Sequence, residues 1–132
     1  MRLRLLTKLS YNLLQEIIFM EKSNSNRKKI LNKTLNSVIE DIKKYSPEKI
    51  IIFGSIVSGK ITETSDIDIL IVKNTRKRYF ERIKDVINLC NYDIGIDFFV
   101  YTPKELEEEI KNNIFVREEI IKKGKIVYDK AV

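Results

Sequence analysis

The stretch from residue 49 to 73, KIIIFGSIVSGKITETSDIDILIVK, limits what this chain can become more than any other. Two runs within it are strongly apolar, residues 50–53 and, Asp68 apart, 67–72. Short apolar runs bounded by turn residues read as buried strands. Gly54-Ser55 closes the first run. Glycine lets a backbone turn sharply and approach a ligand closely, and Ser55 is placed to cap a short helix. The free N–H groups at such a helix start suit a phosphate. Asp66-Ile67-Asp68 opens the second run. Side chains alternate along a strand, so Asp66 and Asp68 project from one face, roughly 6–7 Å apart at about 3.3 Å rise per residue. Carboxylates so spaced can converge on two metal ions roughly 3.5–4 Å apart. Leu70 and Val72 share their face, while Ile67, Ile69 and Ile71 line the other. Two acids at the mouth of an apolar strand are costly unless solvated or paired with cations. That cost is the physical argument for a metal site.

The segment GSIVSGKITETSDID resembles the Gly-Ser-x10-Asp-x-Asp motif of the nucleotidyltransferase fold, the DNA polymerase β superfamily. It most resembles the minimal, MNT-type branch, over about residues 27 to 130. The resemblance implies an α/β (α+β) fold, a small mixed β-sheet flanked by helices. It implies Mg²⁺-dependent transfer of a nucleoside monophosphate, AMP from ATP, to a hydroxyl acceptor. Asp66 and Asp68 then hold two Mg²⁺ ions, with Mn²⁺ as a substitute, and Asp97 matches the family's third carboxylate on a neighbouring strand. Asp93 competes for that role but precedes Gly95 and looks like a turn residue. Nucleotide binding falls to Gly54, Ser55, Lys60 and Ser65. Where the family often carries arginine soon after Gly-Ser, this chain has Ile56 and Val57, and Lys60 is the substitute cation. MNT-type proteins resemble antitoxins paired with HEPN-type ribonuclease toxins, some of which transfer AMP to a tyrosine of the toxin. The expected partners are therefore ATP or another NTP and a HEPN-type toxin. The alternative is a non-catalytic module that binds the nucleotide or the toxin.

The bulk numbers are compatible with this. A chain of 132 residues reads as one domain with its own core. The net charge of +6 suits a nucleoside triphosphate as well as a nucleic acid, and direct nucleic-acid binding is not expected. The chain has no histidine, and Cys90 is its one cysteine. Zinc sites and histidine-dependent triads are thereby disfavoured. A metal would be held by oxygen, which favours Mg²⁺ or Mn²⁺. No apolar run approaches the roughly 20 residues a membrane span needs, and the cytoplasm is the expected location.

Residues 1–26 read as an N-terminal helical extension and linker, and residues 27–132 as the nucleotidyltransferase domain. In the extension Leu6, Leu9, Leu13, Ile17 and Met20 fall near helical spacing, as for a helix packing on the domain or on a partner. Met20 is a second candidate start, because the resemblance begins after it. Ser23-Asn24-Ser25-Asn26 reads as a turn. Residues 27–45 form an amphipathic helix with Leu31, Leu35, Val38, Ile42 and Tyr45 on one stripe, ended by Ser46-Pro47. A further helix is expected over 75–90, with Arg76, Lys77, Arg78 and Arg82 on a solvated or phosphate-facing side. A third strand spans 94–101 around Asp97. Thr102-Pro103-Lys104-Glu105 is a capping box. Helix continues over 113–123, and a last strand covers 126–128. One rival is a P-loop, since Gly54 to Lys60 reads G-x-x-x-x-G-K; the Ser or Thr required next is replaced by Ile61.

Overall fold

A computed structural model describes the backbone of residues 2–132 and the side chains from residue 10 onward. The strands are β1 (Lys49–Phe53), β2 (Ile67–Val72), β3 (Ile96–Tyr101) and β4 (Lys125–Asp129). The helices are α1 (Arg2–Lys43), α2 (Ser55–Ser58), α3 (Tyr79–Leu89), α4 (Pro103–Asn112) and α5 (Val116–Lys122), the last wound as a π-helix. The strands form one sheet in the order β3-β2-β1-β4. β1 is antiparallel to β2 and β4, while β2 and β3 are parallel. The result is the expected mixed sheet flanked by helices, with the most apolar strands in the middle.

Period-2 alternation sorts the core into two layers. Ile50, Ile52, Ile67, Ile69, Ile71 and Val100 meet Leu31, Leu35, Val38 and Ile42 of α1 and Val86 of α3. On the opposite face Ile51, Phe53, Leu70 and Val72 pack with Val116 and Ile120 of α5, and with Leu106 and Ile110 of α4. Thr102 Oγ1 accepts from Glu105 N at 3.2 Å, while Thr102 N donates to Glu105 Oε2 at 3.3 Å, so the capping box forms.

Two expectations are corrected. The turn at 23–26 is absent, and α1 runs straight through it. Serine and asparagine cost a helix at most roughly 0.7 kcal/mol each relative to alanine, and no Gly or Pro interrupts this segment. Within the extension, Leu13, Ile17 and Met20 are exposed rather than packed on the domain; Leu6 and Leu9 lie outside the described side chains. At its other end α1 stops at Lys43, Ser46 adopts a left-handed φ of 55°, and Lys73 Nζ donates to Tyr45 O at 2.7 Å. Among the described residues no helix is long and apolar enough to cross a membrane.

The second correction concerns Arg82, which does not sit on a solvated face. It is 6% exposed and donates to Lys77 O, Val100 O and both carboxylate oxygens of Glu105, the last two at 2.7 and 2.9 Å. A buried guanidinium needs such partners, and a bidentate carboxylate supplies them. Arg82 thus ties α3 to the start of α4, at the end of β3 away from Asp97.

Candidate functional site

Strand directions assemble the site. β2 is antiparallel to β1 and parallel to β3, so the end of β1 and the starts of β2 and β3 share one edge. Phe53 is opposite Asp68, and Asp68 is opposite Asp97. Gly54 follows Phe53 directly. Asp68 and Asp97 therefore sit side by side on one face. The Asp68 carboxyl is pushed up to about 6. Burial contributes most, followed by the neighbouring Asp97 carboxyl and the Asp66 charge. A carboxyl raised by neighbouring acids marks negative charge that the cluster itself does not compensate.

Two glycines make room for these acids. Gly54 adopts φ 80°, ψ −150°, and a Cβ there would run into Asp68 Oδ2. A Cβ on Gly95 would lie 2.7 Å from Asp66 Cγ. Gly95 has no positive φ, so alanine fits its backbone and only the Asp66 carboxylate must move. Gly95→Ala is expected to change stability by no more than about 1 kcal/mol. It should lower turnover at the site by up to roughly 100-fold, the scale of a misplacement near 1 Å. Thermal melts beside initial rates check both.

Asp66 stands slightly apart from the pair. Its Oδ1 lies 3.6 Å from Arg27 Nη2. Among the described residues no three acidic, cysteine or histidine side chains form a ready-made metal cage. The three acids are electrostatically coupled, as the Asp68 shift shows, without converging. The donor set still fits a hard divalent cation: it is all oxygen, it carries excess negative charge, and the chain has no histidine to compete.

On the other side of Gly54 opens a cleft of about 550 Å³ lined by Ser55, Ser58, Lys60, Glu119 and Lys123. Lys60 is exposed; Lys123 pairs with Glu119 at 3.0 Å. Ser55 is the first residue of α2 and not its cap; Gly54 holds that position, and no side chain caps the turn. Ser65 does not line this cleft. Its Oγ accepts from Thr62 N at 2.8 Å, shaping the turn before β2. Asp93 is exposed beside the start of β3, outside the Asp68–Asp97 contact. A larger hollow of about 720 Å³ lies between α1, α2 and β4, is lined by Leu35, Ile39 and Ile56, and does not border Gly54. Neither hollow is lined by the three acids, but the smaller one borders Gly54, whose Cβ position meets Asp68, and so adjoins them. The P-loop reading fails: β2 returns antiparallel, Lys60 follows the glycine that ends α2, and Ile61 is buried in the core.

Sequence reasoning passed over Arg27, Gly95 and Lys123. Arg27 had a signal, since it lies four residues before Leu31 on the apolar stripe of α1. Gly95 had a weaker one, standing two residues before Asp97. Lys123 had none.

Residues 33–131 match the family described as Polymerase beta, Nucleotidyltransferase. A protein of Methanocaldococcus jannaschii named "putative protein adenylyltransferase" is 31% identical over 111 residues, 77% of this chain and 74% of that protein. The crystal structure of a "putative nucleotidyltransferase" from Sulfolobus solfataricus shares the fold, with a TM-score of 0.59 at 21% identity. That similarity covers 83% of this chain and 89% of the other.

Proposed function

The chain belongs to the polymerase beta nucleotidyltransferase family, and on that footing we propose that it transfers AMP from ATP to a tyrosine hydroxyl of a partner protein. The partner class to test first is a HEPN-type toxin, with this chain as its antitoxin. The observation that carries the reading is the pairing of Asp68 with Asp97 across β2 and β3 beside Gly54, which itself borders a lysine-lined cleft. The name of the 31% identical relative supports a protein as acceptor.

Asp66, Asp68 and Asp97 would hold Mg²⁺, or Mn²⁺ in its place. Such a cation neutralises triphosphate charge and acidifies an attacking hydroxyl. Lys60 and Lys123 present ammonium groups to the pyrophosphate end of the nucleotide, with Lys123 exchanging Glu119 for phosphate. Gly54 lets the phosphate chain lie close against the backbone because it has no Cβ. Asp97, more exposed than Asp68, takes the proton of the acceptor hydroxyl on its carboxylate. The acceptor oxygen then bonds to the α-phosphorus, and the bond from that phosphorus to the pyrophosphate oxygen breaks.

The test is incubation with ATP labelled at the α- or γ-phosphate, Mg²⁺ and the partner. Label from the α-position alone, retained on partner tyrosine, is the expected result. A tight complex with no label would favour the non-catalytic binding module. No label and no complex would remove both readings.

A further inference from the structure

Arg27 is the charged member of the α1 stripe that continues through Leu31, Leu35, Val38 and Ile42. Its side chain is only 20% exposed. Nε and Nη2 both donate to the Ser65 carbonyl, at 3.0 and 2.8 Å. Two donors on one oxygen fix the plane of the guanidinium, and Nη2 then faces Asp66 Oδ1 at 3.6 Å. Gly95 leaves the Asp66 carboxylate the room that a Cβ there would take. No comparable ion pair reaches Asp68 or Asp97 among the described residues. The fold therefore gives a fixed countercharge to one acid of the cluster and leaves the other two to each other.

We propose that Arg27 is a positioning residue that supplies the countercharge of Asp66 in the cation-free site, and so weakens the site's hold on a bare divalent cation. The proposal rests on the nucleotidyltransferase reading of the three acids. A guanidinium tethered to the Ser65 carbonyl cannot swing far from Asp66. A divalent cation reaching Asp66 meets a like charge close by. A cation arriving with a triphosphate brings compensating negative charge, and the repulsion is offset. Arg27 thus favours loading of the cation–nucleotide complex over the cation alone.

The experiment is titration of the full-length protein with Mn²⁺ at moderate salt, following free Mn²⁺ by electron paramagnetic resonance. Wild type, Arg27→Met, Arg27→Lys and Asp68→Asn are compared, with circular dichroism confirming the fold. Arg27→Gln, which keeps a donor for Ser65, takes the place of Arg27→Met if methionine unfolds the protein. Removing the charge is expected to tighten Mn²⁺ binding about five- to tenfold. Arg27→Lys keeps the charge and should stay within about twofold of wild type, because the charge and not the second donor sets the effect. A non-hydrolysable ATP analogue should narrow the gap between Arg27→Met and wild type. A purely structural role would leave affinity unchanged or weaken it. Unchanged or weaker binding in Arg27→Met, with binding abolished in Asp68→Asn, would overturn the proposal and leave the acids as the metal site. No Mn²⁺ binding by any protein would overturn the reading of the acids, and the proposal with it.

Discussion

Asp68→Asn is expected to abolish nucleotidyl transfer while raising the melting temperature at pH 8. Both halves follow from the same placement. Asp68 sits between Gly54 and Asp97, partly buried at the start of β2. As a proposed cation ligand, its loss should cost several kcal/mol of transition-state stabilisation, roughly a 1,000-fold drop in rate. Its own titration sets the stability. The folded carboxyl is raised from 3.8 to about 6, by burial first and the Asp97 charge second. For an acid raised on folding, ionisation opposes folding. The favourable state is present below the unfolded value of 3.8 and is lost as the pH rises through about 6. At pH 8 the penalty is fully expressed, and the neutral asparagine escapes it. With allowance for partial exposure and screening, the gain is about 1 kcal/mol, or roughly 4 °C in Tm. Melts in EDTA at pH 4 and pH 8 check it: the gain at pH 8 should vanish at pH 4. A variant less stable at both values, or one still active, would mean that Asp68 serves the fold.

What the sequence disclosed follows the range of the interactions involved. Strand patterning is local, so 50–53 and 67–72 stand where alternation places them, and Ile67, Ile69 and Ile71 face α1 as the period demands. The Gly-Ser and Asp-x-Asp spacing led to Asp68, and the resemblance led to Asp97; the parallel β2–β3 register puts the two opposite each other. Arg27 was legible only as the start of a helix. Its contact with Ser65 spans 38 residues, and no local rule reports where an arginine on a core stripe will reach. Arg82 failed for a related reason. A basic cluster ordinarily solvates a helix, and only the tertiary approach of Glu105 makes burial tolerable. The turn at 23–26 failed because serine and asparagine suit both caps and turns, yet cost too little to break a helix on their own.

Gly54→Ala is expected to lose both stability and activity, and the loss should depend on Asp68. Its φ of 80° with ψ −150° belongs to a region open essentially to glycine, and a side chain forced there costs about 1–3 kcal/mol. The added Cβ also meets Asp68 Oδ2, the far end of a short side chain set beside Asp97 on the neighbouring strand. The carboxylate must turn away, which takes it out of line with Asp97. Together these effects should destabilise by about 3 kcal/mol and lower transfer by at least roughly 100-fold. Gly59 is the control. It has the same φ of 80° with ψ near −1°, an ordinary left-handed cap, and nothing lies within 4 Å of its Cβ position. Gly59→Ala should cost about 1 kcal/mol and leave most of the activity. A double-mutant cycle separates backbone strain from the carboxylate contact. With Asp68→Ala in place the contact is gone, and Gly54→Ala should then cost at least about 1 kcal/mol less than it does in wild type. Strict additivity would assign the whole effect to backbone strain, and the absent Cβ would no longer be what makes room for the acid.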